Sequence, residues 1–350
     1  MTLSQTPVSG AVEYEHGAER IVFESGRHAP TTRIPALLVC ADGSLLAFAE
    51  LRAQPGDAGY ITIGVRRSTD AGESWGPVQV VSGDGANTCG NPVPVQLPDG
   101  RILLVSTWNL AADTEQAILD GTSQDTRRVF LQHSADGGRT WSDRVEITSQ
   151  VKLPGWRWYA TGPGSVEPLA NGRVLIPANH SDPSYGGDEP YRSHVFYSDD
   201  GGETWAIGGI ADVTGSNEAQ QAQLDDGRVV LYMRDQLRGG KWLAVSGNRG
   251  RSFGPPRRMP FPGPACHGDI LHVGGGALLA VHHAHRTSRR GLTLRPSFDG
   301  GATWGRGALV RPQAAGYADT ALLPDGSAGI LYEADGAIVF GRAEVEVPEG

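Results

Sequence analysis

The stretch SFDGGATW, Ser297 to Trp304, decides how the rest of the chain is read. Its pattern is Ser-x-Asp-x-Gly-x-Thr-Trp, and it recurs as STDAGESW (Ser68–Trp75), SADGGRTW (Ser134–Trp141) and SDDGGETW (Ser198–Trp205). SGNRGRSF (Ser246–Phe253) is a degraded copy. An Asp that bonds the backbone N–H groups ahead of it, followed by Gly, suits a tight turn. The Trp supplies a large apolar body that can pin the turn to a sheet. The box is thus a folding device, and repeats on this scale announce a propeller or an array.

A second repeat runs between the boxes. Asp42-Gly43, Asp99-Gly100, Asn171-Gly172, Asp226-Gly227 and Asp325-Gly326 each precede an apolar run, and Gly274-Gly275-Gly276 precedes another. Asp-Gly or Asn-Gly between apolar runs is the strongest short hairpin signal. Strand, turn, strand, loop, strand, box, strand describes a four-stranded unit, and the hairpins supply six of them. The expectation is an all-β, six-bladed propeller with four antiparallel strands per blade. It forms one domain over residues 15–346, with tails at 1–14 and 347–350. The last unit has no box, and Arg20–Glu24 (RIVFE) is expected to join it and close the ring, because an open ring would leave a bare strand edge.

Composition agrees and excludes several classes. There are 49 glycines and 23 prolines among 350 residues, which suits many short strands and turns. The net charge of −9 with scattered basic residues excludes a nucleic-acid footprint. Cys40, Cys89 and Cys266 lie too far apart in the sequence for a CxxC metal site and form no disulfide framework. No apolar run approaches a membrane span, and the first residues have neither the basic nor the apolar part of a secretory leader. A cytoplasmic monomer with no membrane or nucleic-acid partner is expected. His282-His283-Ala284-His285 matches no metal-binding spacing, so no metal or other cofactor is expected.

A propeller does not name a function; its axial loops do. Arginines stand at expected strand ends in different units: Arg33 in Thr32-Arg33-Ile34-Pro35, Arg234 after Leu231-Tyr232-Met233, and Arg289 before Gly291-Leu292-Thr293-Leu294. Arginines from different blades can meet only at the axis. Arg52 and Asp57 lie in and after Glu50-Leu51-Arg52, Glu218 follows Ser216-Asn217, and Tyr317 and Glu333 flank the last hairpin.

With Arg-Ile-Pro, the repeated boxes, Tyr159-Ala160-Thr161-Gly162-Pro163-Gly164 and the run Asn171 to His180 in this order, nearly the whole chain resembles the bacterial and animal sialidases, the exo-α-neuraminidases. The resemblance implies an arginine triad of Arg33, Arg234 and Arg289 that binds a carboxylate, with Arg52 as a further pocket arginine. The count of residues to Ser297 selects Arg289 over Arg290. It also implies Asp57 as general acid/base, Tyr317 as nucleophile, Glu218 as its base partner and Glu333 as the holder of Arg33. Those residue types fit the chemistry. A sialoside carries an ionised carboxylate, for which guanidinium is the matched partner. A neutral Tyr attacks without setting a second anion against it, and sialidases are an exception to the pair of carboxylates that most glycoside hydrolases use. The substrates implied are terminal sialic acids on glycoconjugates. A hydrolase for a related nonulosonic acid such as Kdn is the alternative, and a non-catalytic sialoglycan-binding propeller is the alternative of another class. Cys266-His267 and Glu167-Pro168 depart from the family's usual residues and bear on which acid is preferred.

Overall fold

A computed structural model describes residues 10–186 and 190–348. The fold is an all-β propeller in which antiparallel sheets follow one another in chain order. The expectation of a six-bladed propeller with four antiparallel strands per blade is corrected. Among the described residues the strands form five hydrogen-bonded sheets, of which three have four strands, one has five and one has eight. The eight-stranded sheet arises because the strand Ile61–Ser68 meets the strand Thr88–Gln96 through a parallel bridge, Ile61 to Thr88. The short connection after Gln79–Ser82 brings the next strand against the edge that Ile61 offers. The five-stranded sheet holds Ala318–Leu322, Ala328–Ala334 and Ala337–Glu346 together with two N-terminal strands.

The second of those, Arg20–Glu24, pairs with Ala337–Glu346 as the closure argument required, with Arg20 opposite Phe340. The first, Ala11–Tyr14, lies in what the sequence reading assigned to the N-terminal tail; it pairs with the same strand, Ala11 opposite Glu346. The long last strand therefore carries a partner at each end, which covers an edge that would otherwise be exposed. Apolar residues fill the seams between sheets. Leu37, Leu45 and Ala47 pack with Leu331, Ile338 and Phe340, and this cluster joins the start of the chain to its end.

The boxes behave as their chemistry dictates. In the first, Asp70 accepts from Ser74 N at 2.9 Å and from the Ser68 hydroxyl at 2.7 Å, and Trp75 Nε1 donates to the Gly72 carbonyl at 3.1 Å. Gly72 sits at φ +93°, and a Cβ there would lie 2.1 Å from the Phe340 ring. Even the degraded copy keeps the turn, with Asn248 Oδ1 accepting from Ser252 N at 2.9 Å.

Near the axis the alternation of the first strands is broken. Pairing slips between Arg33 and Ala36, between Gly90 and Val93, and between Ser216 and Ala219. Ile34 and Asn91 adopt positive φ, 57° and 53°. Such irregularities re-aim side chains and cluster near functional sites. Here all three fall at the same end of the axis.

Candidate active site

That end holds a cavity of about 150 Å³ lined by Arg33, Arg52, Asp57, Glu218, Arg234, Arg289 and Tyr317. Seven of the eight residues singled out in the sequence therefore meet in one place. The eighth, Glu333, stands behind Arg33. Its carboxylate accepts from Arg33 Nε at 3.2 Å and Nη2 at 3.4 Å, from Ile34 N at 2.8 Å and from Tyr317 N at 3.2 Å. The left-handed turn at Ile34 is what points its N–H at the same carboxylate that holds the Arg33 guanidinium. Burial works against the Arg33 charge, but Glu333 foremost, with Tyr317, Asp57 and Glu50, together outweigh it, so Arg33 stays firmly cationic.

Tyr317, Glu218 and Arg234 form a compact triad. The Tyr317 hydroxyl donates to Glu218 Oε1 at 2.5 Å, and Arg234 Nη1 donates to Glu218 Oε2 at 2.6 Å and to the Tyr317 oxygen at 2.9 Å. Burial, the largest influence, works to raise Glu218, but the Arg234 charge together with the hydrogen bonds from Tyr317 and Arg234 and its other neighbours holds it below the usual carboxylate range. Tyr317 goes the other way. Burial first, and the Glu218 charge second, push its phenol well above the ordinary value. The resting arrangement is thus a protonated tyrosine hydrogen-bonded to an ionised carboxylate. Arg33 and Arg289 lie 5.2 and 5.5 Å from the Tyr317 ring centroid. Arg289 is oriented through Nη2 on the Ala265 carbonyl at 3.3 Å.

Asp57 occupies the mouth. Its side chain is 67% exposed, and its Oδ1 lies 2.7 Å from Arg52 Nη1 and 3.5 Å from Arg33 Nη1. Arg52 is buried and anchored by Glu50 Oε2, 2.8 Å from its Nε. Glu50 Oε1 in turn accepts from Asn91 N at 2.7 Å. Sequence reasoning left Glu50 out, although Glu50 and Arg52 are two apart on one strand and so share a face.

A further wall had no sequence signal at all. Arg127, Glu115, Trp158, Asn91 and Asn217 line the same cavity. The Arg127 guanidinium lies 4.0 Å from the Trp158 ring centroid and donates to Asn91 Oδ1 at 2.7 Å and Thr107 Oγ1 at 2.9 Å. It forms no carboxylate ion pair among the described residues, and burial lowers its pKa. Glu115 accepts from the Tyr191 hydroxyl at 2.5 Å, and burial raises its pKa against that bond. The histidines of the 282–285 run take separate partners instead of converging. His282 faces Arg295, His283 the Ala315 carbonyl and His285 the Ser288 hydroxyl.

Comparison with known proteins gives this cavity a context. The family described as BNR repeat-like domain matches residues 19–330. The chain is 33% identical over 324 residues to the sialidase of Micromonospora viridifaciens, covering 87% of this chain and 50% of that protein. It is 30% identical over 292 residues to the exo-alpha-sialidase of Aspergillus fumigatus, covering 77% and 68%. The chain belongs to the sialidase family. Among solved structures, the Hadza microbial sialidase Hz136 superposes with a TM-score of 0.83 at 27% identity, covering 93% of this chain and 68% of that one. Trypanosoma rangeli sialidase, solved as a covalent intermediate with 2,3-difluorosialic acid, gives 0.79 at 16% identity, covering 95% and 59%, which bears on the fold alone. This sialidase-family chain spans half the length of its Micromonospora relative.

Proposed function

We propose that this chain is an exo-acting, retaining sialidase that removes terminal sialic acids from glycoconjugates. The observation that carries the reading is the Tyr317 hydroxyl held between Glu218 and Arg234 in a cavity that also receives Arg33 and Arg289. The three guanidinium groups bind the substrate carboxylate and fix the sugar's orientation. In the first step the Tyr317 oxygen attacks the anomeric carbon while Glu218 takes the phenol proton. The bond to the leaving oxygen breaks, and protonated Asp57 at the mouth delivers a proton to it. The product is a glycosyl–tyrosine intermediate. In the second step water attacks the same carbon, Asp57 takes the water's proton, the bond to Tyr317 breaks and Glu218 returns the proton to the phenol. Two displacements retain configuration. The high phenol pKa keeps Tyr317 neutral until Glu218 draws its proton, so no phenolate faces the substrate carboxylate beforehand, and the Glu218 charge is paired with Arg234.

A second reading, a preference for Kdn, is favoured by the polar wall. In a six-membered ring the carbon facing away from the anomeric centre is C5. A ring whose carboxylate sits on the arginine triad shares the cavity with Arg127 and Glu115. A buried guanidinium and a buried carboxyl suit a hydroxyl better than the methyl of an N-acetyl group. Release from aryl glycosides of N-acetylneuraminic acid and of Kdn, assayed side by side, tests both. Turnover of either, with the α-anomer released first, is expected. A faster Kdn rate selects the second reading. Silence on both would sink the enzyme reading in favour of a binding propeller.

A further inference from the structure

Beside the catalytic cavity lies a second, open bay of about 450 Å³. Arg238, Arg258 and Arg286 line it over a floor made by residues 259–263, and no acidic side chain lines it among the described residues. Arg258 is already engaged. Its Nη1 donates to Asp235 Oδ2 at 2.5 Å and its Nη2 to the Gly239 carbonyl at 2.6 Å. Arg238 and Arg286 are exposed, and their guanidinium groups make no ion pair or hydrogen bond among the described residues.

The bay is built on the same loops as the cavity. The floor segment runs on into Ala265, whose carbonyl holds Arg289 at 3.3 Å. The turn between the strands Val229–Asp235 and Lys241–Ser246 carries Arg238 and presses on that floor, since a Cβ on Gly239 would lie 2.5 Å from the Gly263 carbonyl oxygen. Arg238 follows Arg234 by four residues and Arg286 precedes Arg289 by three. The reach of an extended chain puts their Cα atoms within about 14 and 11 Å of those two triad arginines.

The chain has 39 acidic and 30 basic residues, so its overall field does not favour anions. Two unpaired guanidinium groups on one concave surface reverse that locally. A carboxylate is the matched partner for such groups, and each can hold it through two parallel bonds. Resting on the sialidase reading, we infer that the bay is a second anion site: it takes the carboxylate of the next sialic acid when the sugar in the catalytic cavity ends an oligosialyl chain.

The test is the double variant Arg238→Ala, Arg286→Ala in the full chain, assayed on an α2,8-linked sialic acid trimer and on a singly charged aryl sialoside. Both residues are exposed, so the melting temperature should stay within about 2 °C of wild type. KM for the trimer is expected to rise about tenfold at low salt, and the gap should narrow at roughly 0.5 M salt, where exposed charges are screened. KM and kcat for the aryl sialoside should stay within twofold. Equal losses on both substrates, or no loss on the trimer, overturn the inference. Trimer binding by calorimetry, with Tyr317→Phe present to prevent turnover, should weaken by a similar factor when the two arginines are removed; unchanged binding also overturns it. A wild type silent on both substrates while that binding difference persists would sink the activity reading alone, so the two failures are distinguishable.

Discussion

Tyr317→Phe removes one oxygen and leaves the rest of the site in place. The ring contacts survive, since Arg33, Arg289 and His267 lie 5.2 to 5.5 Å from its centroid and none needs the hydroxyl. Substrate binding should therefore change little, with KM within about threefold, a difference below ~0.7 kcal/mol. Glu218 loses its 2.5 Å donor but keeps Arg234 at 2.6 Å, so it remains paired. The cost of losing one bond to a charged acceptor is ~1.5–3 kcal/mol. In a chain of this size that lowers the melting temperature by roughly 2–6 °C. The chemistry suffers far more. Without the nucleophile the two-step path is closed, and a fall of at least ~1,000-fold in kcat corresponds to ~4 kcal/mol of lost transition-state stabilisation. The assay is release from an aryl sialoside, with mass spectrometry of the protein after treatment with 2,3-difluorosialic acid. Wild type should gain a covalent adduct on Tyr317 and the variant should gain none. Turnover of Tyr317→Phe within tenfold of wild type, or an adduct elsewhere in wild type, would refute the reasoning.

Arg289→Ala should raise KM by about 100-fold, equivalent to ~2.7 kcal/mol, whereas exposed Arg290→Ala should leave it within twofold; the reverse pattern would show that the triad is read one residue out of place. The buried carboxyls Asp269 and Asp319 give the fold a pH dependence. Burial raises Asp269 to about 6 and Asp319 well above its ordinary value, with the nearby Asp269 charge adding to the rise at Asp319. Groups raised in the folded state contribute stability that is complete below about pH 4 and is lost as pH climbs through their folded values. Melting temperature from this pair should thus decline from pH 5 to 8, and Asp319→Asn, which mimics the protonated form, should flatten that slope. An unchanged slope in the variant would remove the pair as its cause.

Much of this protein could be read directly from the chain because the signals are local. Asp70 to Ser74 and Trp75 to Gly72 are bonds within one turn, and the Asp-Gly hairpins need only their own residues, so strand order, propeller class and the motif-bearing Arg33, Arg234, Arg289 and Tyr317 were legible. How the sheets merge was not, because the Ile61–Thr88 bridge depends on where two strand edges meet in space. Nor was the capture of Ala11–Tyr14 by the last strand. The site divides the same way. Residue types announced the chemistry, but the slips at Arg33, Gly90 and Ser216 and the left-handed Ile34 set which way the side chains face. Arg127 and Glu115 belong to no spacing in the sequence and reach the cavity only because the connection between the strands Ile102–Asn109 and Arg128–Ser134 lies at the same end of the axis. Local bonding determined the units, and packing around the axis decided which side chains share a cavity and with what charge.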